Sequence, residues 1–201
     1  MSKKDFFSQK ASNYDKTAAR VENVKNIARA IHSKIDLDSS MEIMDFGSGT
    51  GLLLESFSSD VQHITAVDVS ESMNEVLKQK IPSLDCNVKI QAVDLTNEDL
   101  DKQFDGVISS MTLHHIKDIA GIFNKFYSHL KPNGFIAIAD LDKEDGSFHT
   151  EDTGVFHQGF EQHKFLKTAK AAGFKNLNIE VVSIAKKPQG HFPIFLLTGN
   201  K

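Results

Sequence analysis

The chain has 201 residues, 40% hydrophobic and 25% charged, with a formal net charge of −4. That length favours one domain with a sizeable core, and an acidic balance without a dense Lys/Arg run argues against a nucleic-acid partner. No apolar run reaches membrane-spanning length and "MSKKDFFSQK" lacks the apolar core of a secretory signal, so a cytoplasmic, non-membrane protein is expected.

Residues 17–35 place Val21, Val24, Ile27, Ala28 and Ile31 at helical spacing. "MEIMDFG" (41–47) reads as a buried strand, 52–58 as a short helix, and "HITAVDVS" (63–70) as a second strand. Ser70-Glu71-Ser72 opens a helix that runs to about Lys80 and stops near Pro82. Cys86, the lone cysteine, excludes an internal disulfide and reads as half-buried near the start of a third strand, 87–95. "FDGVISSM" (104–111) is a fourth strand. The helix 118–130 then carries Ile119, Ile122, Phe123, Phe126 and Leu130 on one face. Lys131-Pro132-Asn133-Gly134 has turn composition, 135–141 is a strand, and 160–172 is a helix ended by Gly173. Strands 177–187 and 192–199 flank a short turn around Pro188-Gln189-Gly190, which predicts a hairpin.

Alternating strands and helices with near-continuous apolar runs predict a doubly wound α/β fold. Its sheet has seven strands, mostly parallel, with an antiparallel C-terminal hairpin. Residues 1–40 are expected as an N-terminal helical lid on a single domain built from 41–201. Residues 142–159 form a long polar connection without periodicity, which in a compact domain points to function or disorder.

"MDFGSGTGLL" (44–53) closes the first strand with Gly47, Gly49 and Gly51. Glycines at a strand-to-helix turn let a ligand approach backbone N–H groups closely. The third glycine comes one residue too early for G-x-G-x-x-G, and no Gly-Lys-Ser/Thr follows for a P-loop. Asp68 ends the second strand, where a carboxylate accepts from both ribose hydroxyls. Asp94 ends the third, where a carboxylate accepts from an adenine amino group and Leu95 offers a backbone N–H. Asp45 beside the loop suits a cationic amine and repels phosphate. Each aspartate alone also suits a cap or turn. Together they describe an adenosine end, no phosphates and a positive amino group, as in S-adenosylmethionine.

"MDFGSGTGLL", "AVDVS", "AVDL", "FDGVISSMTLHHI" and "LKPNGFIAIAD" closely resemble, in order, the motifs of class I S-adenosylmethionine-dependent methyltransferases. The match covers roughly 40–201 and looks like the small-molecule branch that includes ubiquinone and menaquinone C-methyltransferases. The lead-in "FFSQKASNYDKTAAR" resembles that family's too. The resemblance implies a sheet ordered 3-2-1-4-5-7-6 with strand 7 antiparallel. It places Gly47, Gly49, Gly51 and Asp45 at the methionine end of the cofactor, Asp68 and the adjoining Val69 at the ribose, and Asp94 with Leu95 at the adenine. Ser109 or Ser110 would lie under the sulfonium, and Tyr14 would close over the cofactor. Phe46 departs from the smaller residues common there and is expected to point into the sheet packing.

The expected reaction uses S-adenosyl-L-methionine, yields S-adenosyl-L-homocysteine, and methylates a small-molecule acceptor. Such a displacement needs a base only if the acceptor loses a proton. His114 and His115 follow the fourth strand, where the family places acceptor-side residues, while packing or capping is the plainer reading for at least one of them. His149, His157 and His163 lie in or after the long polar loop. They read either as acceptor-pocket bases or metal ligands, or as solvated loop residues. Their spacings match no compact metal motif, so no metal is assigned. Asp140 and Asp142 are expected to face the same region or to be ordinary turn residues. Phe6, Phe7, Phe148, Phe156 and Phe160 lie in the two segments outside the sheet and suit a partly apolar acceptor. The competing readings are a cofactor-binding regulatory or assembly protein without methyl transfer, and a nicotinamide-dependent oxidoreductase. A monomer or homodimer is expected.

Overall fold

The computed structural model describes residues 5–201; the first four residues of the expected lid lie outside them. The strands are β1 (Glu42–Phe46), β2 (His63–Val67), β3 (Asn87–Gln91), β4 (Phe104–Ser110), β5 (Leu130–Leu141), β6 (Lys175–Lys187) and β7 (Gly190–Asn200). They form one sheet in the order β3-β2-β1-β4-β5-β7-β6. The first five run parallel, and β7 pairs antiparallel with both β5 and β6. This is the expected doubly wound fold with its C-terminal hairpin.

The helices are α1 (Ala18–His32), α2 (Leu52–Glu55), α3 (Glu71–Lys80), α4 (Ile119–His129) and α5 (Gln162–Ala171). Strand alternation sends successive side chains to opposite faces of the sheet. Ile43 therefore joins Ile27, Ile31, Leu54, Phe57 and Leu77 on one face. Met44 joins Phe123, Phe126, Phe165 and Leu197 on the other. Phe57, Phe104, Phe123, Phe126 and Phe195 are among the largest fully buried side chains. Burying one such ring stabilises the fold by about 1.5–3 kcal/mol. Phe46 packs edge-on against Phe126 at 5.1 Å, as its position between Asp45 and Gly47 predicts.

Two of the helix starts are capped by side chains. Ser70 Oγ accepts from the Met73 N–H at 3.2 Å, and Asp118 Oδ1 accepts from the Gly121 N–H at 2.9 Å. Some boundaries differ from those expected from the sequence. The turn expected at 131–134 is an irregularity inside β5, where Asn133 takes φ 64 and the register with β4 shifts between Phe104 and Gly106. Strands β2 and β3 also end early, so Asp68 and Asp94 sit in the turns beyond them rather than within the ladder. Among the described residues no helix is long and apolar enough to cross a membrane.

Candidate functional site at the carboxyl ends of the strands

The loop after β1 turns by way of three left-handed glycines, Gly47 (φ 69), Gly49 (φ 52) and Gly51 (φ 85). They do different work. A Cβ on Gly47 would stand 2.2 Å from the Thr112 side chain, and one on Gly51 would stand 2.6 Å from Leu77 Cδ1. A Cβ on Gly49 would meet nothing within 4 Å. Gly47 and Gly51 are thus required by packing, whereas Gly49 leaves open space for something else. Gly51 caps α2 and lines neither cavity described below.

Beside the loop lies a cavity of about 540 Å³. Asp68, Val69, Asp94 and Leu95 line it together with Gly47, Gly49 and Tyr14. Asp68 is oriented by the backbone: Oδ2 accepts from the Gly49 N–H and Oδ1 from the Ser70 N–H, each at 2.8 Å. Burial nevertheless raises its pKa. Asp94 accepts from the Thr96 hydroxyl at 2.5 Å and from Asn97 Nδ2 at 2.8 Å. Val69 is 62% exposed, an apolar side chain presented to the cavity rather than to the core.

Asp45 is 1% exposed and neither carboxylate oxygen has a hydrogen-bond partner of good geometry, the Leu54 N–H being the backbone donor that approaches it. Burial, with the Asp68 charge adding to it, pushes its pKa up to about 8. The buried hydroxyl of Ser110 is also without a partner. Ser110 lines both cavities, whereas Ser109 turns the other way and donates to the Phe46 carbonyl at 2.7 Å. Of the two serines expected under the sulfonium, only Ser110 is in a position to face a ligand. Next to it Met111 holds φ 57, an uncommon conformation for a non-glycine residue, and lines both cavities.

The N-terminal segment covers this region. A 3-10 turn, Ala11–Lys16, carries the half-buried Tyr14 into both cavities, and burial raises the phenol's pKa. The Arg20 guanidinium lies 3.9 Å from the centre of the Tyr14 ring. Asp15 accepts from the Thr50 hydroxyl at 2.6 Å. Arg20, Thr50, Met111 and Thr112 escaped the sequence reading. Only Asp15 carried a signal, as the residue that follows Tyr14 in the lead-in "FFSQKASNYDKTAAR".

A second cavity, about 330 Å³, adjoins the first across Gly47, Gly49, Tyr14, Ser110, Met111 and His115. His114, His115 and His149 line it, with ring centroids 4.3, 5.3 and 5.9 Å apart. His114 Nδ1 pairs with Asp140 Oδ1 at 2.7 Å, and both residues are buried. His149 Nδ1 is 3.1 Å from the Thr153 hydroxyl, and its Nε2 is buried without a partner. Burial and the neighbouring imidazole of His114 push His115 down to about 4. Burial and the flanking His114 and His115 push His149 down to about 3. Both rings are neutral at neutral pH.

His157 and His163 do not join them. His157 Nε2 bonds the Ile116 carbonyl at 2.9 Å and its ring packs on Phe160, so it fastens the 142–159 loop and lines neither cavity. His163 is exposed beside Glu161. Asp142 accepts from Gln162 Nε2 at 2.9 Å, a structural contact. Phe6, Phe7, Phe148 and Phe156 line the cavities, whereas Phe160 packs on Phe165.

Residues 14–179 match the family described as the methyltransferase domain. The chain belongs to the class I S-adenosylmethionine-dependent methyltransferases. It is 33% identical over 158 residues to an uncharacterised methyltransferase of Schizosaccharomyces pombe, covering 70% of this chain and 56% of that one. It is 33% identical over 139 residues to malonyl-[acyl-carrier protein] O-methyltransferase of Acetivibrio thermocellus, covering 66% and 47%. The chain thus spans about half the length of these curated relatives. The structure of the DhpI–SAH complex superposes with a TM-score of 0.75 at 20% identity, covering 98% of this chain and 93% of that one, which is a likeness of fold. The family's cofactor is S-adenosyl-L-methionine. The open space at Gly49, the partnerless Asp45 carboxylate and the exposed Val69 fit such a group.

Proposed function

We propose that this chain transfers the methyl group of S-adenosyl-L-methionine to a small-molecule acceptor, with the adenosine end of the cofactor in the 540 Å³ cavity and its amino-acid tail reaching past the shared wall to Asp45 in the 330 Å³ one, where the acceptor also lies. The observation that carries this reading is the shared wall. Gly49, Tyr14, Ser110 and Met111 face both cavities, so two ligands can meet there without crossing the sheet.

When bound, the cofactor supplies an electrophilic methyl group on a sulfonium. The protein's part is to bind, align and exclude water. Asp68 is held by two backbone N–H groups before any ligand arrives, so its free lone pairs are aimed at the ribose hydroxyls. Val69 offers an apolar face to the adenine, and Asp94 with Leu95 border its edge. Asp45, which lines the 330 Å³ cavity next to the shared wall, would take the ammonium of the amino-acid tail, a partner its carboxylate lacks. Tyr14 and Phe7 close the site from the N-terminal side. His114, His115 and His149 face the acceptor.

The acceptor cavity lies near the low end of small-molecule sites, which run roughly 300–1,000 Å³. Arg20 and Lys187 line it, with Lys10 paired to Glu151 at 2.7 Å, and the positive charge left over favours an acceptor carrying negative charge. One relative is named for O-methylation of a malonyl group, so carboxylates belong in the acceptor screen with thiols and amines.

Calorimetric titration with S-adenosylmethionine, S-adenosylhomocysteine and NADH tests the cofactor site. Micromolar binding of the first two and none of the third is expected, and NADH binding alone would overturn the reading. Labelled-methyl transfer to the acceptor panel then tests turnover. Cofactor binding with no transfer to any acceptor would favour a binding role without catalysis.

A further inference from the structure

The three imidazoles at the end of β4 are arranged as ligands. We propose that His114, His115 and His149 form a three-nitrogen site for one divalent transition-metal ion of the Zn²⁺ type, its open position facing the acceptor cavity. One nitrogen from each ring lies within 4.8 Å of the other two. In a tetrahedral centre with Zn–N bonds of about 2.0–2.1 Å, ligand nitrogens stand about 3.3–3.4 Å apart. Modest rotation of the half-buried His115 and His149 rings closes that gap.

The far side of two rings is already fixed. His114 Nδ1 is held by Asp140 Oδ1 at 2.7 Å, which leaves Nε2 for the metal. Asp140 is fully buried and itself oriented by the Leu141 N–H at 2.7 Å. His149 Nδ1 is held by the Thr153 hydroxyl at 3.1 Å, which leaves Nε2, the buried nitrogen with no partner. An oxygen behind each ligating imidazole is how proteins set the tautomer and orientation of metal-bound histidine. A proton-transfer role needs one such ring, and it leaves the partnerless nitrogen of His149 unexplained.

Three neutral ligands leave the ion its full double charge, so the fourth position takes a water or, more tightly, an anionic oxygen or sulfur. Lys187 lines the same cavity and favours an anion there as well, whereas Lys10 is paired with Glu151. Assigning that position to an oxygen or sulfur anion of the acceptor rests on the methyl-transfer reading above; the metal site itself does not. The sequence concealed the site because His149 reaches it from a loop far along the chain from the adjacent His114-His115 pair.

The test uses the full chain, freed of any affinity tag and stripped with chelator. Zn²⁺ retention is measured by plasma mass spectrometry after dialysis, and Co²⁺ is added alone as a spectroscopic probe. One Zn²⁺ per chain and the visible bands of four-coordinate Co²⁺ are expected. Both should vanish in His149→Ala and, independently, in His115→Ala, with folding checked by circular dichroism. Asp140→Asn should weaken Zn²⁺ binding about 10–100-fold, and His163→Ala should leave it unchanged. No retained Zn²⁺ at micromolar free metal, or full retention in a folded His149→Ala variant, would overturn the proposal. S-adenosylhomocysteine titrated into the same stripped sample separates the two ideas. Cofactor binding without metal binding refutes the metal site alone. Metal binding without cofactor binding refutes the methyl-transfer reading and leaves the metal site standing.

Discussion

Asp15 accepts the hydroxyl hydrogen of Thr50 at 2.6 Å, which ties the N-terminal turn to the glycine loop. Its other oxygen meets Lys80 Nζ at 2.6 Å, so one carboxylate fastens the cover to both the loop and α3. Tyr14 hangs from this anchor. Thr50→Val should loosen the cover and weaken S-adenosylhomocysteine binding about 5–20-fold, roughly 1–2 kcal/mol, the lower part of what a hydrogen bond to a charged group contributes. A double-mutant cycle with Asp15→Asn, read by calorimetry, should give a coupling of similar size. Strictly additive losses would mean that the contact does not position the cover.

Asp68→Ala should abolish cofactor binding and leave the far-ultraviolet circular dichroism unchanged. The side chain holds the Gly49 N–H as well as facing the cavity, so the loss combines a missing ligand contact with a loosened loop. Unchanged affinity in a calorimetric titration would sink the ribose assignment.

The glycines should separate into two classes. Gly49→Ala enters open space, so its stability cost is that of a left-handed alanine, about 1–2 kcal/mol. Its Cβ projects into the proposed cofactor space, and affinity should fall more than about tenfold. Gly51→Ala collides with Leu77 in addition to the backbone strain, so its melting temperature should fall further than that of Gly49→Ala. Melting curves and titrations of both variants check the contrast. Equal losses of affinity at comparable stability would contradict it.

Asp45 should make cofactor affinity pH-dependent. With its pKa raised to about 8, the carboxyl of the ligand-free protein is protonated at neutral pH. Pairing with a cationic amine requires the carboxylate, so affinity should rise with pH until about 8, and binding below that should release a proton. Stability runs the other way. An unfolded aspartate loses its proton near 3.8 while the folded one keeps it to about 8, so stability from this group falls as pH rises through that window. Asp45→Asn should therefore raise the melting temperature of the ligand-free protein, more at pH 8 than at pH 5, while weakening cofactor binding. Calorimetry in buffers of different ionisation enthalpy and melting curves at both pH values measure the two effects. A melting temperature that falls on substitution would contradict the buried-acid account.

His157→Ala should lower the melting temperature, because the ring holds the 142–159 loop to the Ile116 carbonyl and lines no cavity. From sequence this residue reads either as an acceptor-pocket group, whose loss would lower turnover more than cofactor affinity, or as a solvated loop residue. Thermal melts and turnover measured on the same sample distinguish the three.

The sheet is legible in the chain's local patterning. Period-two and period-3.6 apolar patterns are local, and with a glycine turn after β1 and a hairpin at the end they leave few topologies. The sequence also determined that Gly47, Asp68 and Asp94 gather at one end of the strands, because every parallel strand ends on the same side. Tertiary structure decided which neighbours face a ligand. Ser109 and Ser110 are adjacent, yet the pleat sends one to the Phe46 carbonyl and the other to the cavities. Gly49 and Gly51 share a motif, yet only the path of α3, which brings Leu77 under Gly51, makes one a packing residue and leaves the other open. His149 and His157 lie on one loop, yet its course over β4 and β5 carries the first to His114 and His115 and the second to Ile116. Those choices depend on contacts between residues distant in the chain, which no local periodicity encodes.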